Sequence, residues 1–335
     1  MARQDEIQIA LLGLGVIGSG VARTLLKKGP AYAQQLGFPL SLRHILERDL
    51  YKADSVPVDR RLVTDDPRVV LDDEAVDIVI EVLGGERPAY DFIKEGLCSG
   101  RYVVTANKEV MAKHGLELLA LAQEHGVDIL FEASVASGTP VIGPLRRDLT
   151  ANEITSIRAI INGTTNYILT RMSREGLDFQ EALSQAQALG YAEADPSNDL
   201  KGIDAAYKLA ILASLAFHTH VRPDDVYCEG ITSLNARDFR YAQELGYAIK
   251  LLAVARMEEE GVDARVHPSF VPREELLASV DGVLNAVQVE GDLLGRVLFQ
   301  GPGAGPLPTA SAIMADVMDA AHSVAAVKAG RRGGR

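Results

Sequence analysis

The sequence predicts an α/β fold with a parallel sheet in its first 133 residues, followed by a separate α+β fold over most of the remainder. Three observations predict it. Short apolar runs alternate with helical ones between Ile7 and Phe131, as in strand–helix–strand units. The first run, Ile7–Leu12, leads straight into Gly13-Leu14-Gly15-Val16-Ile17-Gly18 and then into a helix. Past Phe131 the alternation stops, and strand-like segments gather at 247–257, 262–270 and 282–290 instead.

Taken in order, the glycine run has a use in each of its positions. Gly13 suits a tight turn, Gly15 lets a backbone approach a pyrophosphate, and Gly18 lets helix and strand pack closely. Val16, Ile17 and Gly18 would offer N–H groups at the helix N-terminus, where an anion is favoured. Val21, Ala22, Leu25 and Leu26 follow at helical spacing, and Gly29-Pro30 predicts the stop. A second strand, Leu40–Leu46, ends in Glu47-Arg48-Asp49. An acidic residue there suits the ribose of NAD, and Arg48 with Lys52 suits the extra phosphate of NADP, so both remain open with a lean to NADP. Strands at 76–83, 102–105 and 127–131 alternate with helices at 88–98 and 109–125, and Gly84-Gly85 ends the first of these strands. Lys108 opens a helix, where a cation opposes the dipole and calls either for a compensating ligand or for a side chain swung into water. This is the pattern of a Rossmann-type dinucleotide-binding domain, set at 1–133, with a helix at 305–324 expected to pack back on it.

The second domain, 134–304, begins in the small-residue loop Glu132-Ala133-Ser134-Val135-Ala136-Ser137-Gly138-Thr139-Pro140. A strand at 153–161 leads to Asn162-Gly163-Thr164-Thr165-Asn166, which reads as a polar turn before a helix from Tyr167. A helix at 178–189 ends at Gly190 and delivers the most charged stretch of the chain, with Glu193, Asp195, Asp199, Lys201, Asp204 and Lys208. Asp195-Pro196 reads as a helix start, with Asp199 as an alternative cap. Asp204 and Lys208 stand one turn apart on one face. On their own they are a surface ion pair worth roughly 0.2–0.5 kcal/mol, or one end of a site for a zwitterion. Gly301-Pro302-Gly303-Ala304-Gly305-Pro306 reads as a loop before an amphipathic helix at 309–324, and 325–335 as a flexible basic tail.

Composition narrows the partners. A net charge of −12 disfavours nucleic acid, and no uninterrupted apolar run reaches the length of about eighteen expected of a membrane span. Cys98 and Cys228 lie far apart without a CxxC spacing, as in a reducing, cytoplasmic setting. The seven histidines show no zinc-ligand spacing.

Several separate stretches agree on more. Gly13 to Gly18, Thr105-Ala106-Asn107-Lys108, Phe131-Glu132-Ala133-Ser134-Val135 and Asn162-Gly163-Thr164-Thr165-Asn166-Tyr167-Ile168-Leu169 come first. Gly190-Tyr191-Ala192-Glu193-Ala194-Asp195-Pro196 with Asp199, Asp204 and Lys208 follows, and then Gly301 to Gly305 with Pro308-Thr309-Ala310-Ser311-Ala312. In that order and spacing the chain resembles the homoserine dehydrogenases, from Ile7 to about His322.

The resemblance implies NAD(P)H-dependent reduction of L-aspartate 4-semialdehyde to L-homoserine. It makes Lys208 the acid/base, Glu193, Asp199 and Asp204 the substrate shell, and Lys108 the residue where cofactor and substrate meet. It places Gly84, Gly190 and Gly303 where backbone nears the cofactor. It also implies a monovalent-cation site, sodium by expectation, on Glu132, Val135, Ser137 and Thr139, although Ser137-Gly138-Thr139 departs from the usual Gly-Gly-Ile. A homodimer through the second domain is a further implication. Many members of the family carry a C-terminal ACT-type regulatory domain or a fused aspartokinase; this chain is expected to depart from them in having neither, and with that to lack direct threonine feedback. Two rivals are a phosphorylating semialdehyde dehydrogenase, which needs a catalytic cysteine, and a nucleotide-sensing protein that has lost catalysis.

Overall fold

The computed structural model describes residues 6–333, with side chains through residue 330. Contacts divide the chain into two compact units, Met1–Ser134 with Gly305–Arg335, and Val135–Ala304.

The first unit is built on six parallel strands, β1 (Ile7–Leu12), β2 (Leu40–Leu46), β3 (Val63–Thr64), β4 (Ile78–Glu81), β5 (Tyr102–Thr105) and β6 (Ile129–Leu130). Their order is β3-β2-β1-β4-β5-β6. The strands run in sequence outward from β1 on one side and from β4 on the other, so the order reverses between β1 and β4. In such a sheet a ligand binds at that reversal, beyond the strands' C-terminal ends. The β1–Gly13 and β4–Gly84 turns both lie there. Ile7, Ile9, Leu11, Ile78 and Ile80 are wholly buried against Val21 and Ala22 of the helix Val16–Leu36 and Ile313 and Val317 of the helix Pro306–Gly333.

Two expectations for this unit need correcting. The first helix does not stop at Gly29-Pro30 but runs through Pro30 to Leu36. Pro30 lies on its exposed side, so the carbonyl that loses its N–H partner can turn to water. The last helix is not confined to 309–324, nor is 325–333 a flexible tail. It runs Pro306–Gly333, helped by the Ala-rich sequence and by Lys328 Nζ, 2.7 Å from Asp77 Oδ2. The final two residues lie outside the described ones. By length and composition Pro306–Gly330 could cross a membrane, but half of its most apolar stretch is buried.

The second unit carries a mixed sheet of β7 (Ile154–Ile160), β8 (Tyr227–Cys228), β9 (Tyr247–Glu258), β10 (Gly261–Pro272), β11 (Leu284–Gly291) and β12 (Gly295–Pro302), in the order β12-β11-β7-β9-β10-β8. Only the β10–β8 pair is parallel. The helix Ile203–Ala216 lies against this sheet with Leu209, Ala210, Leu212 and Ala213 wholly buried. Here too the chain departs from expectation. Gly301-Pro302 is the end of edge strand β12 rather than loop, a position where missing donors and side chains are tolerated.

Candidate active site

The glycine turn of the first unit is shaped by contact. Gly13 has φ +103°, and its N–H donates to Leu46 O at 2.8 Å. A Cβ on Gly18 would stand 2.0 Å from Gly13 O, so the helix can lie this close only on glycine. A Cβ on Gly15 would meet nothing within 4 Å. That open space lies beside the first-turn N–H groups of Val16, Ile17 and Gly18, which receive no side-chain cap. Space and donors together fit a pyrophosphate.

At the end of β2, Glu47 is buried and committed. It accepts from Leu14 N at 2.8 Å, Asp49 N at 3.1 Å and Lys52 Nζ at 3.0 Å. Burial raises its carboxyl, but these hydrogen bonds outweigh that and hold it below the usual range. Arg48 beside it is exposed and has no ion pair among the described residues.

Beyond β4, Gly84 and Gly85 are both left-handed, with φ +77° and +69°. The turn is tied down by Glu81, wholly buried, which accepts from Leu83 N at 2.8 Å and Thr105 Oγ1 at 2.6 Å. Burial pushes the Glu81 carboxyl above its ordinary range against the pull of those bonds. Asn107 Nδ2 donates to Gly85 O at 2.7 Å, while its Oδ1 caps the helix Lys108–Glu124 at Val110 N. Lys108 is the half-buried first residue of that helix. Sequence patterning singles out Lys108, but not the buried Glu81–Thr105–Asn107 brace behind it, whose members meet only through β4 and β5.

In the second unit the polar turn expected at Asn162 is the first turn of a helix, Gly163–Glu175, capped by Asn162 Oδ1 at Thr165 N, 2.9 Å. Neither Asp195 nor Asp199 starts the helix that carries Lys208. A four-residue helix Ser197–Leu200 comes first, Gly202 breaks it at φ +81°, and Ile203–Ala216 begins after it. Asp204 and Lys208 therefore lie on its first two turns. Lys208 Nζ is 2.7 Å from Asp204 Oδ2 and 2.9 Å from Ile161 O. Asp199 Oδ1 joins them, 2.7 Å from Asn162 Nδ2. Glu193 is exposed in the preceding loop, and its backbone carbonyl accepts from Gln187 Nε2 at 3.2 Å. That loop is anchored by Thr164 Oγ1 donating to Tyr191 O at 2.7 Å, and by the Tyr167 and Tyr191 rings at 5.1 Å. Gly190 turns it with φ +74° and open space at its Cβ position. Gly303 is different, because a Cβ there would lie 2.1 Å from Asn285 Cγ.

The expected cation ligands divide by unit. Glu132, in the first, is buried in a short 3-10 turn with its N–H on Asp316 Oδ2 at 2.9 Å. In the second, Val135 and Thr139 are buried and Ala136 and Ser137 take the left-handed region at φ 54° and 41°. Thr139 Oγ1 is buried without a hydrogen-bond partner. Among the described residues no group of three or more His, Cys, Asp or Glu could hold a metal ion.

A parallel sheet with this strand order and a glycine turn open to phosphate, followed by a separate α+β unit that braces a lysine with carboxylates, defines a nicotinamide-nucleotide dehydrogenase. A family model described as "Homoserine dehydrogenase, NAD binding domain" matches residues 13–132, and one described as "Homoserine dehydrogenase" matches 140–318. The homoserine dehydrogenase of Corynebacterium glutamicum is 46% identical over 324 residues, covering 95% of this chain and 73% of the relative. A homoserine dehydrogenase structure from Thiobacillus denitrificans superposes with a TM-score of 0.91 at 45% identity, over 95% of this chain and 74% of that one. A hyperthermophilic archaeal homoserine dehydrogenase in complex with NADPH gives 0.79 at 29% identity, over 94% and 98%. The chain belongs to the homoserine dehydrogenase family.

Proposed function

We propose that this chain catalyses the reversible NAD(P)H-dependent reduction of L-aspartate 4-semialdehyde to L-homoserine, a step toward threonine and methionine. The observation that carries it is Lys208, held by Asp204 and Ile161 O in a chain of this family. A bound nicotinamide would supply the hydride. As charge develops on the aldehyde oxygen, Lys208 donates its proton there; in the reverse direction the neutral amine takes the proton back. Asp204, Asp199 and Glu193 attract and orient the substrate ammonium.

NADP is the favoured cofactor. Arg48 is exposed and, among the described residues, pairs with no carboxylate, whereas Glu47 is already occupied by Leu14, Asp49 and Lys52. An archaeal relative bound to NADPH agrees with this. The orphaned Thr139 hydroxyl and the strained Ala136-Ser137 turn support a monovalent cation at the Val135, Ser137 and Thr139 positions, since hard oxygen donors suit such an ion. Leu245, Tyr247, Phe270 and Leu276 leave apolar surface exposed on the second unit, which supports a homodimer through it. Unpaired Cys98 and Cys228 suit the cytoplasm. The rival acylating chemistry wants an activated thiolate, but burial pushes the Cys228 thiol up. Spectrophotometric oxidation of NADPH and of NADH with aspartate semialdehyde tests the reading. No turnover with either cofactor rejects it.

A further inference from the structure

We propose that Asn162 is a positioning residue of this site, a neutral bracket that holds Asp199 and Asp204 together and, through Asp204, aims Lys208. The inference rests on the dehydrogenase reading above and deepens it.

The amide of Asn162, 5% exposed, uses its two ends for two tasks. Its oxygen takes Thr165 N at 2.9 Å and Thr165 Oγ1 at 3.0 Å, closing the start of the helix Gly163–Glu175. Its nitrogen gives one hydrogen to Asp199 Oδ1 at 2.7 Å and the other to Asp204 Oδ2 at 2.9 Å. The Asp204 oxygen so held is the one that takes Lys208 Nζ at 2.7 Å. Lys208 also donates to Ile161 O at 2.9 Å, the residue next to Asn162. The junction between β7 and the Gly163 helix therefore fixes the lysine on two sides.

A helix cap alone does not ask for asparagine. Serine, threonine and aspartate cap as well through one oxygen. Among the good side-chain caps only asparagine adds two donors. Those donors are also uncharged. A lysine or arginine in this place would hold the same two aspartates but cancel their charge. With Asn162 the bracket adds no charge of its own beside carboxylates that would attract the α-ammonium group of a substrate. The bracket thus brings two like charges together without spending their attraction for the substrate.

The test compares the full chain with Asn162→Ser and Asn162→Asp in homoserine-dependent NADP reduction. Both substitutions keep a helix cap and remove the amide donors. Asn162→Ser is expected to hold its melting midpoint near that of the parent. Its kcat/KM for homoserine should fall at least about tenfold, the loss of one to two bonds to charged groups, with the KM for NADP within about twofold. Asn162→Asp sets a third carboxylate beside the lysine and should move the alkaline limb of the homoserine-oxidation profile upward by about one unit. An Asn162→Ser enzyme with parental kcat/KM overturns the bracket while leaving the dehydrogenase reading intact. So does an activity loss that only tracks a lowered melting midpoint while the limb of Asn162→Asp stays put, because capping then explains it. A parent chain inactive toward homoserine overturns both.

Discussion

Lys208 and Asp204 form an ion pair of 2.7 Å one turn apart on a helix, with side-chain exposures of only 14% and 7%. An ordinary pair at this spacing sits in water and contributes little. This one is shielded and backed by Ile161 O and Asn162. Lys208→Ala should therefore cut turnover at least ~100-fold, the low end for general acid–base catalysis, while NADPH binding by fluorescence titration stays intact. Homoserine oxidation in the parent should quicken toward alkaline pH, since lysine accepts a proton only as the neutral amine. A flat rate from neutral to alkaline pH contradicts the role.

The two glycines of the first turn should separate folding from binding. Gly18→Ala forces a Cβ to within 2.0 Å of Gly13 O, backbone that cannot swing aside, and should destabilise the protein by at least about 2 kcal/mol in thermal melts. Gly15→Ala meets nothing within 4 Å and needs no unusual backbone, so its melt should match the parent. Its dinucleotide affinity should nevertheless drop about tenfold or more, near 1.4 kcal/mol, because the methyl fills the space meant for phosphate. Equal effects on melting would refute the distinction.

Arg48→Ala should raise the KM for NADPH about tenfold or more and leave that for NADH within about twofold, since only NADPH carries the phosphate that a guanidinium grips. Steady-state kinetics with both cofactors decide it. Parallel changes would move the phosphate contact to another residue.

Glu81 links stability to pH with a definite sign. Its folded carboxyl is raised by burial, so the folded state binds a proton that the unfolded chain gives up at lower pH. Stability from this group is then full below the ordinary carboxylate range and declines as pH rises through the folded value. Glu81→Gln should flatten that part of the melting-temperature profile between mildly acidic and neutral pH. An unchanged slope would show that Glu81 is not its source.

The first unit was largely readable because its signals are local. Strand, Gly13 to Gly18 and helix are contiguous, and the alternation of apolar runs reports the parallel sheet directly. Pro30 misled because proline is a stop signal by default, and only its exposure on the finished helix shows why it is tolerated. Gly301-Pro302 misled for a related reason, since turn residues are also permitted at a sheet edge. In the second unit Asn-Gly-Thr-Thr-Asn carries turn chemistry and cap chemistry alike. Asp204 and Lys208 could be paired from their spacing, but Asp199 and Asp204 meet across Asn162, 37 and 42 residues away in sequence. No periodicity encodes such a meeting. The brace of Glu81, Thr105 and Asn107 was hidden in the same way.

The helix Pro306–Gly333 supplies Ile313, Met314, Val317, Ala320 and Ala321 to the same core as Ile7, Ile9 and Leu11. The nucleotide-binding unit is thus encoded at both ends of the described chain, with the other unit inserted between them. During synthesis the order of completion is inverted: residues 135–304 are all available while the older β1–β6 sheet still lacks part of its core. The first unit to begin emerging is the last that can finish folding, and in the interval its sheet exposes an apolar face that a chaperone could cover.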